Sequence, residues 1–179
     1  MNPTDELKKL TALFPGGDEL FERVEHIPSA LTPEPYKRLL VHEHHMTVTM
    51  EEFHHSPVVV KVLDRRLDGE VYSRRILLER NEDGRVVQFG IVRFDLGVVL
   101  PPVRNEILSE KTPLGRILIN YNVLRHIDLG AVLQMTTGSA LARMFGCPVG
   151  ATTYGRLATI FCNQRPAVDL LEVAAPVPE

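Results

Sequence analysis

Glu172 sits in an otherwise apolar run near the end of the chain. If Val168 to Ala174 is a strand, Val168, Leu170, Glu172 and Ala174 share one face, and Glu172 is the only charge on it. Upstream, Tyr72 to Leu78 reads as another strand, in which Arg74 shares a face with Tyr72, Ile76 and Leu78 while Arg75 joins Ser73, Leu77 and Glu79. Arg74 therefore has the more apolar neighbours. A carboxylate and a guanidinium on apolar faces are costly unless they meet each other or an ionic ligand. Arg93 has the parity of Val87, Phe89 and Ile91, which sets a second guanidinium on an apolar face. Two inward arginines and one carboxylate would make a net cationic pocket suited to a small dianion, since arginine grips carboxylates through two parallel hydrogen bonds. The competing reading is a structural ion pair between Arg74 and Glu172 on adjacent strands.

Other reactive residue types give weaker patterns. His42-Glu43-His44-His45, with His54-His55 further on, invites a metal. A His-Glu-x-x-His helix is not formed, because Met46 stands where its second histidine belongs, and no cysteine or carboxylate completes a ligand set, so no metal site is expected. Cys147 and Cys162 have no base nearby in sequence and read as inert thiols. No serine lies in a nucleophile-elbow pattern.

The elements that position Arg74 and Glu172 follow from hydrophobic period. Residues 5–14 and 17–26 are read as short helices, broken at Pro15-Gly16-Gly17, and Thr32-Pro33 opens a third. From Met46 the period changes to two. Thr47 to Phe53, Val58 to Leu63, Val71 to Arg80 and Arg85 to Leu96 read as successive strands, the last two joined by a turn at Asn81 to Gly84. Short helices over Val103 to Glu110 and Pro113 to Asn120 come next. Ile127 to Leu133 alternates as a half-buried strand, and two further strands, about 152–162 and 167–174, are joined at Asn163 to Pro166. This describes an α+β fold, a single six- or seven-stranded antiparallel sheet covered by helices. The whole chain, 1–179, is expected to form one domain, with 1–31 as an N-terminal helical extension.

Composition narrows the function classes. The 179 residues are 44% hydrophobic and 24% charged, enough for one core and ordinary for a soluble globular chain. A net charge of -3 with scattered arginines argues against a nucleic-acid partner. The longest apolar stretch, Val86 to Val103, is interrupted by Gln88, Arg93 and Asp95, so no membrane span is expected. Two cysteines behind a polar N-terminus with no signal peptide point to a reduced, cytoplasmic setting.

Four stretches together resemble the chorismate lyase (chorismate pyruvate-lyase) family, in particular a branch of uncharacterised chorismate-lyase-like domains. They are Glu43-His44-His45-Met46-Thr47, Arg74-Arg75-Ile76-Leu77-Leu78, Lys111-Thr112-Pro113-Leu114-Gly115-Arg116 and Leu171-Glu172-Val173-Ala174-Ala175-Pro176. Their shared order, over about residues 36 to 176, is more specific than any one of them. The resemblance implies a six-stranded antiparallel sheet under helices. It also implies removal of pyruvate from chorismate to give 4-hydroxybenzoate, without metal or cofactor. By the same resemblance Arg74 is the carboxylate-binding arginine and Glu172 the catalytic glutamate, while Met46, Leu114 and Gly115 fall on flap or pocket-lining positions. In the better-known enzymes a second arginine directly follows a strand glycine. Here Gly90 is followed by Ile91, and Arg93 is the candidate substitute.

Chorismate carries two carboxylates, and aromatisation of its ring supplies much of the driving force, so the protein need mainly orient and stabilise. Two alternatives stay open. One is a non-catalytic module that binds an aromatic acid or senses an effector, as related domains of some bacterial transcription regulators do. With about 30 residues ahead of the matching region, too few for a winged helix and linker, the lyase is the expected function. The other is a lyase acting on a chorismate relative or giving another hydroxybenzoate isomer.

Overall fold

Two antiparallel meanders account for most of the sheet in the computed structural model, which describes residues 2–178. The first comprises β2 (Val58–Asp68), β3 (Val71–Arg80) and β4 (Val86–Asp95), and the second β5 (Arg125–Thr137), β6 (Thr152–Cys162) and β7 (Arg165–Ala174). A seventh strand, β1 (Phe21–Ile27), pairs with β5, giving the order β1-β5-β6-β7-β4-β3-β2 with every pairing antiparallel. The meanders meet where β4 pairs with β7. The fold is thus α+β on one seven-stranded sheet.

Turn chemistry sets the register across β6 and β7. Asn163 and Gln164 take φ of 51° and 64°, the left-handed pair of a tight hairpin, so Cys162 faces Arg165. With a register shift between Ile160 and Phe161, the ladder then sets Arg156 opposite Glu172.

Helices cover both faces. One face of the sheet carries α1 (Pro3–Thr11) and α6 (Ser139–Phe145), whose Leu7, Leu10 and Leu141 pack with Leu77, Phe89, Ile91 and Leu171. The other carries α2 (Tyr36–Leu40), α3 (Met46–His54), α4 (Pro101–Ser109) and α5 (Leu114–Asn120). There the core has two parts. Met46 and Met50 pack with Ile76 and Leu78, while Ile107, Leu114 and Ile117 pack with Ile127, Ile160 and Leu170. Among the described residues, no helix is long and apolar enough to cross a membrane.

Two segments differ from their sequence reading. The strand expected over Thr47 to Phe53 is α3: the β-branched Thr47, Val48 and Thr49 suggested a strand, yet Met46, Met50 and Phe53 recur at helical spacing. The helix expected over 17–26 is a single 3-10 turn (Gly17–Glu19) followed by β1, so the N-terminal stretch holds an edge strand beside the helix α1. Phe21, Val24 and Ile27, three apart, mimic a helix. A bulge between Phe21 and Arg23 breaks the alternation and sets Phe21 and Val24 against one core, while Ile27 packs against the other. The helix α6 had no counterpart in the sequence reading.

Candidate functional site

Facing residues on adjacent strands form rows across the sheet. One row runs Ile76, Gly90, Glu172, Arg156, and the next Arg74, Val92, Leu170, Ala158. Both rows face α3 and α5. Above them a cavity is lined by Arg74, Ile76, Leu78, Gln88, Gly90 and Val92 from the first meander and by Ile127, Arg156, Ile160, Leu170 and Glu172 from the second. His45, Met46, Thr47, Pro113, Leu114 and Gly115 close it from above. The space open to water centres is about 40 Å³, where a single water needs ~10 to 15 Å³. At Gly90 the floor has no side chain.

Arg74 is only 2% exposed. Its Nη1 is shut off from solvent and has no hydrogen-bond partner, and among the described residues no carboxylate forms an ion pair with it. Burial pushes its pKa down, opposed by the nearby Tyr72 hydroxyl and Glu110 carboxylate. Tyr72 stays protonated, because its hydroxyl donates to Glu110 Oε1 at 2.6 Å and burial pushes its pKa up to about 12, so its oxygen faces Arg74 as a neutral acceptor. Glu110 in turn accepts from Arg65 Nε at 2.8 Å. A buried cation without an ion-pair partner is the arrangement folding ordinarily avoids unless an ionic ligand completes it. Gln88 Oε1 is a second buried atom in the lining without a partner. It can accept a hydrogen bond from a ligand.

The other guanidinium of the cavity, Arg156, is 1% exposed and engaged at each of its three nitrogens. Its Nε donates to Glu172 Oε2 at 2.7 Å, Nη1 donates to His42 O at 2.9 Å, and Nη2 donates to His44 O at 3.0 Å. Arg156 therefore ties the sheet to the 42–44 segment leading into α3. Two histidines complete that segment as neutral rings. His42 Nε2 bonds Leu39 O at 2.7 Å and its Nδ1 accepts from the His44 N–H, and burial, with Arg156 beside it, lowers its pKa to about 4. His45 Nε2 accepts from Arg125 Nε at 2.7 Å, and burial followed by the Arg125 charge lowers its pKa to about 4. Gly115 lets α5 approach closely here, since a Cβ on it would lie 2.8 Å from His45 Cβ and 3.0 Å from Thr47 Oγ1.

The structure brings five of the six sequence-selected residues to one cavity: Arg74, Glu172, Met46, Leu114 and Gly115. Arg93 lies elsewhere. It has the parity of Phe89 and Ile91, which is the sheet face under α1 and α6, and near the end of β4 it is exposed beside Asp169 (3.6 Å). Parity with apolar residues did not reveal the face, because both faces are apolar. Nor do Arg74 and Glu172 pair with each other, since β4 separates their strands. Arg156 went unselected, although Ala158 and Ile160 give it the same kind of apolar parity as Arg74. Gln88, which shares its face with Gly90 and Val92, was legible in the same way. Among the described residues, no group of three or more His, Cys, Asp or Glu is placed to hold a metal ion. The Cys162 thiol is buried and its pKa pushed up to about 11 by that burial, as suits an inert side chain.

No family model and no curated protein matches the sequence. Solved structures do. The effector domain of PhnF from Mycobacterium smegmatis superposes with a TM-score of 0.53 at 10% identity, over 74% of this chain and 88% of that one. The longer PhnF structure gives 0.51 at 10% identity, over 73% of this chain and 63% of that one. The ligand-binding domain of a protein assigned to the GntR family of transcriptional regulators, from Bordetella bronchiseptica, gives 0.50 at 16% identity, over 65% and 85%. The likeness is one of fold. It is consistent with a chorismate-lyase-like architecture and assigns no role to any residue.

Proposed function

We propose that this chain binds a small organic anion in the Arg74 cavity and acts as a ligand-binding or effector-sensing domain rather than as a catalyst. The observation that carries this reading is the buried Arg74 guanidinium, with Nη1 unpartnered in a mostly apolar cavity. A ligand carboxylate supplies the missing partner, and its apolar body packs against Ile76, Leu78, Val92 and Leu170. Arg156 and Glu172 are already engaged with each other and with the backbone, which suits a preformed wall better than a mobile acid or base. The names of the solved neighbours, a ligand-binding domain and an effector domain, support the same reading.

A lyase acting on chorismate or a relative is the second reading. It is favoured by the convergence of Arg74, Glu172, Met46, Leu114 and Gly115 on one cavity. One preparation separates the two. Calorimetric titration with 4-hydroxybenzoate is expected to give binding that Arg74→Ala abolishes, while incubation with chorismate leaves it intact by mass spectrometry. Release of pyruvate with a hydroxybenzoate would move the protein to the lyases. Absence of any Arg74-dependent binding would remove the sensing reading.

A further inference from the structure

We infer that the cavity selects ligands carrying a single negative charge and excludes dianions of the same shape, because Glu172 occupies the end where a second carboxylate would lie. This inference rests on the proposal that the cavity binds a carboxylate at Arg74. The charged side chains lining the cavity are Arg74, Arg156 and Glu172. Of the two cations only Arg74 is uncommitted. A guanidinium has five N–H donors. Four of those of Arg156 have partners, Glu172 Oε2, His42 O, His44 O and, at 3.3 Å from Nη1, His42 Nδ1, so that each of its three nitrogens is engaged and one N–H of Nη2 is left over. A ligand carboxylate reaching Arg156 would have to displace Glu172 or lie beside it.

At the Arg74 end the nearby Glu110 carboxylate is taken up by the Tyr72 hydroxyl and Arg65 and forms no ion pair with Arg74, and the other neighbouring groups leave the balance unchanged. His42 and His45 are neutral around pH 7 for the reasons given above. Arg125 is turned to His45 and to Val123 O, and Arg116 is paired with Glu51. Arg74 and Arg156 stand on strands separated by β7 and β4, a backbone span of roughly 14 Å at the usual strand spacing. The cavity is therefore two-ended: a free cation on β3 and a neutralised ion pair on β6 and β7. Between them lie apolar side chains. A ligand with one carboxylate and an uncharged far end matches this arrangement. A far end that donates a hydrogen bond meets Glu172 or Gln88 as acceptor, whereas a second carboxylate meets Glu172 as a like charge, the arrangement by which interfaces reject wrong partners.

The test uses two para-substituted benzoates that differ in the charge of the far end, terephthalate and its monomethyl ester, titrated calorimetrically into the full chain at pH 7.5 or so. The ester is expected to bind at least about tenfold more tightly than the dianion. In Glu172→Gln, which keeps an oxygen facing Arg156 but removes the charge, the gap is expected to close to within about threefold. Equal or tighter binding of terephthalate by the natural protein overturns the selectivity while leaving the binding proposal standing. Tight binding of the ester that is unaffected by Arg74→Ala overturns the placement of the anion. Binding of neither probe removes both. Because the first comparison needs no variant, the inference stays exposed to failure even if Glu172→Gln does not fold.

Discussion

Arg156 and Glu172 face each other across β6 and β7, joined by a 2.7 Å hydrogen bond from Nε to Oε2, while the guanidinium's other nitrogens hold the carbonyls of His42 and His44. The pair links the sheet to the segment that covers the cavity. Its two members are not equivalent in what their removal leaves behind, since one side of the pair serves three acceptors and the other only one donor group.

Arg156→Met is expected to be strongly destabilising. It strands a largely buried carboxylate, 13% exposed, and two carbonyls, and breaking a buried pair in this way costs up to about 3 to 5 kcal/mol. Glu172→Gln keeps an acceptor in place and is expected to cost less than about 2 kcal/mol. Denaturant unfolding of both variants checks the order, and a milder effect for Arg156→Met would mean that it does not anchor the 42–44 segment.

Arg74 behaves in the opposite way in the absence of ligand. Its buried cation has no ion-pair partner among the described residues, so Arg74→Met is expected to leave the melting temperature unchanged or to raise it, while reducing affinity for 4-hydroxybenzoate by the equivalent of about 2 to 5 kcal/mol. Arg75→Ala serves as the contrast. That side chain lies on the far face, where Nε donates to Asp64 Oδ2 at 2.8 Å and Nη1 to Pro15 O at 3.1 Å, so its loss should touch stability and leave binding alone.

Stability is expected to fall as the solution is acidified through the window between pH 6.5 and pH 4. Both His42 and His45 have folded-state pKa values lowered from 6.5 to about 4. The unfolded chain therefore takes up protons in this window that the folded chain refuses, and unfolding gains. Their contribution is fully present above about pH 6.5 and is lost by about pH 4. Midpoints of urea unfolding across this range, for the natural chain and for a His42→Asn, His45→Asn double variant, measure it. An unchanged slope in the double variant would assign the pH dependence to other groups.

Gly115→Ala tests the roof of the cavity. The added methyl group would meet His45 and Thr47 at 2.8 to 3.0 Å, so α5 and the 45–47 segment must separate. A loss of about 1 to 3 kcal/mol in stability is expected, as for other overpacked cores, together with weaker binding of 4-hydroxybenzoate. Melting and titration of the same sample measure both.

Period-two alternation was enough to put Arg74 and Glu172 each on an apolar face of its own strand, because β3 and β7 keep regular parity through those residues. It was not enough for Arg93. In a sheet with helices on both sides, each parity class is apolar over part of its length, so a single strand cannot report which face holds the cavity. The α3 segment was misread for a related reason. Local β-branched residues favour extended backbone, whereas the burial of Met46 and Met50 against Ile76 and Leu78 is a tertiary gain that nearest-neighbour preference cannot register. The strand β1 depended on a bulge, and a bulge leaves no local signature in residues 21–27.

The seam where β4 meets β7 joins segments far apart in sequence, Gln88 to Phe94 with Val168 to Ala174. Arg74 stands on one side of that seam, and Arg156 with Glu172 on the other. Neither meander alone encloses the cavity, so ligand affinity is a property of their docking. Pairings at such sequence separation cost more loop-closure entropy than the hairpins within each meander. An anion held at Arg74 and resting on Leu170, as proposed, would stitch the two halves together. Its most direct signature is slowed hydrogen exchange along the β4–β7 ladder, at amides the ligand itself never touches.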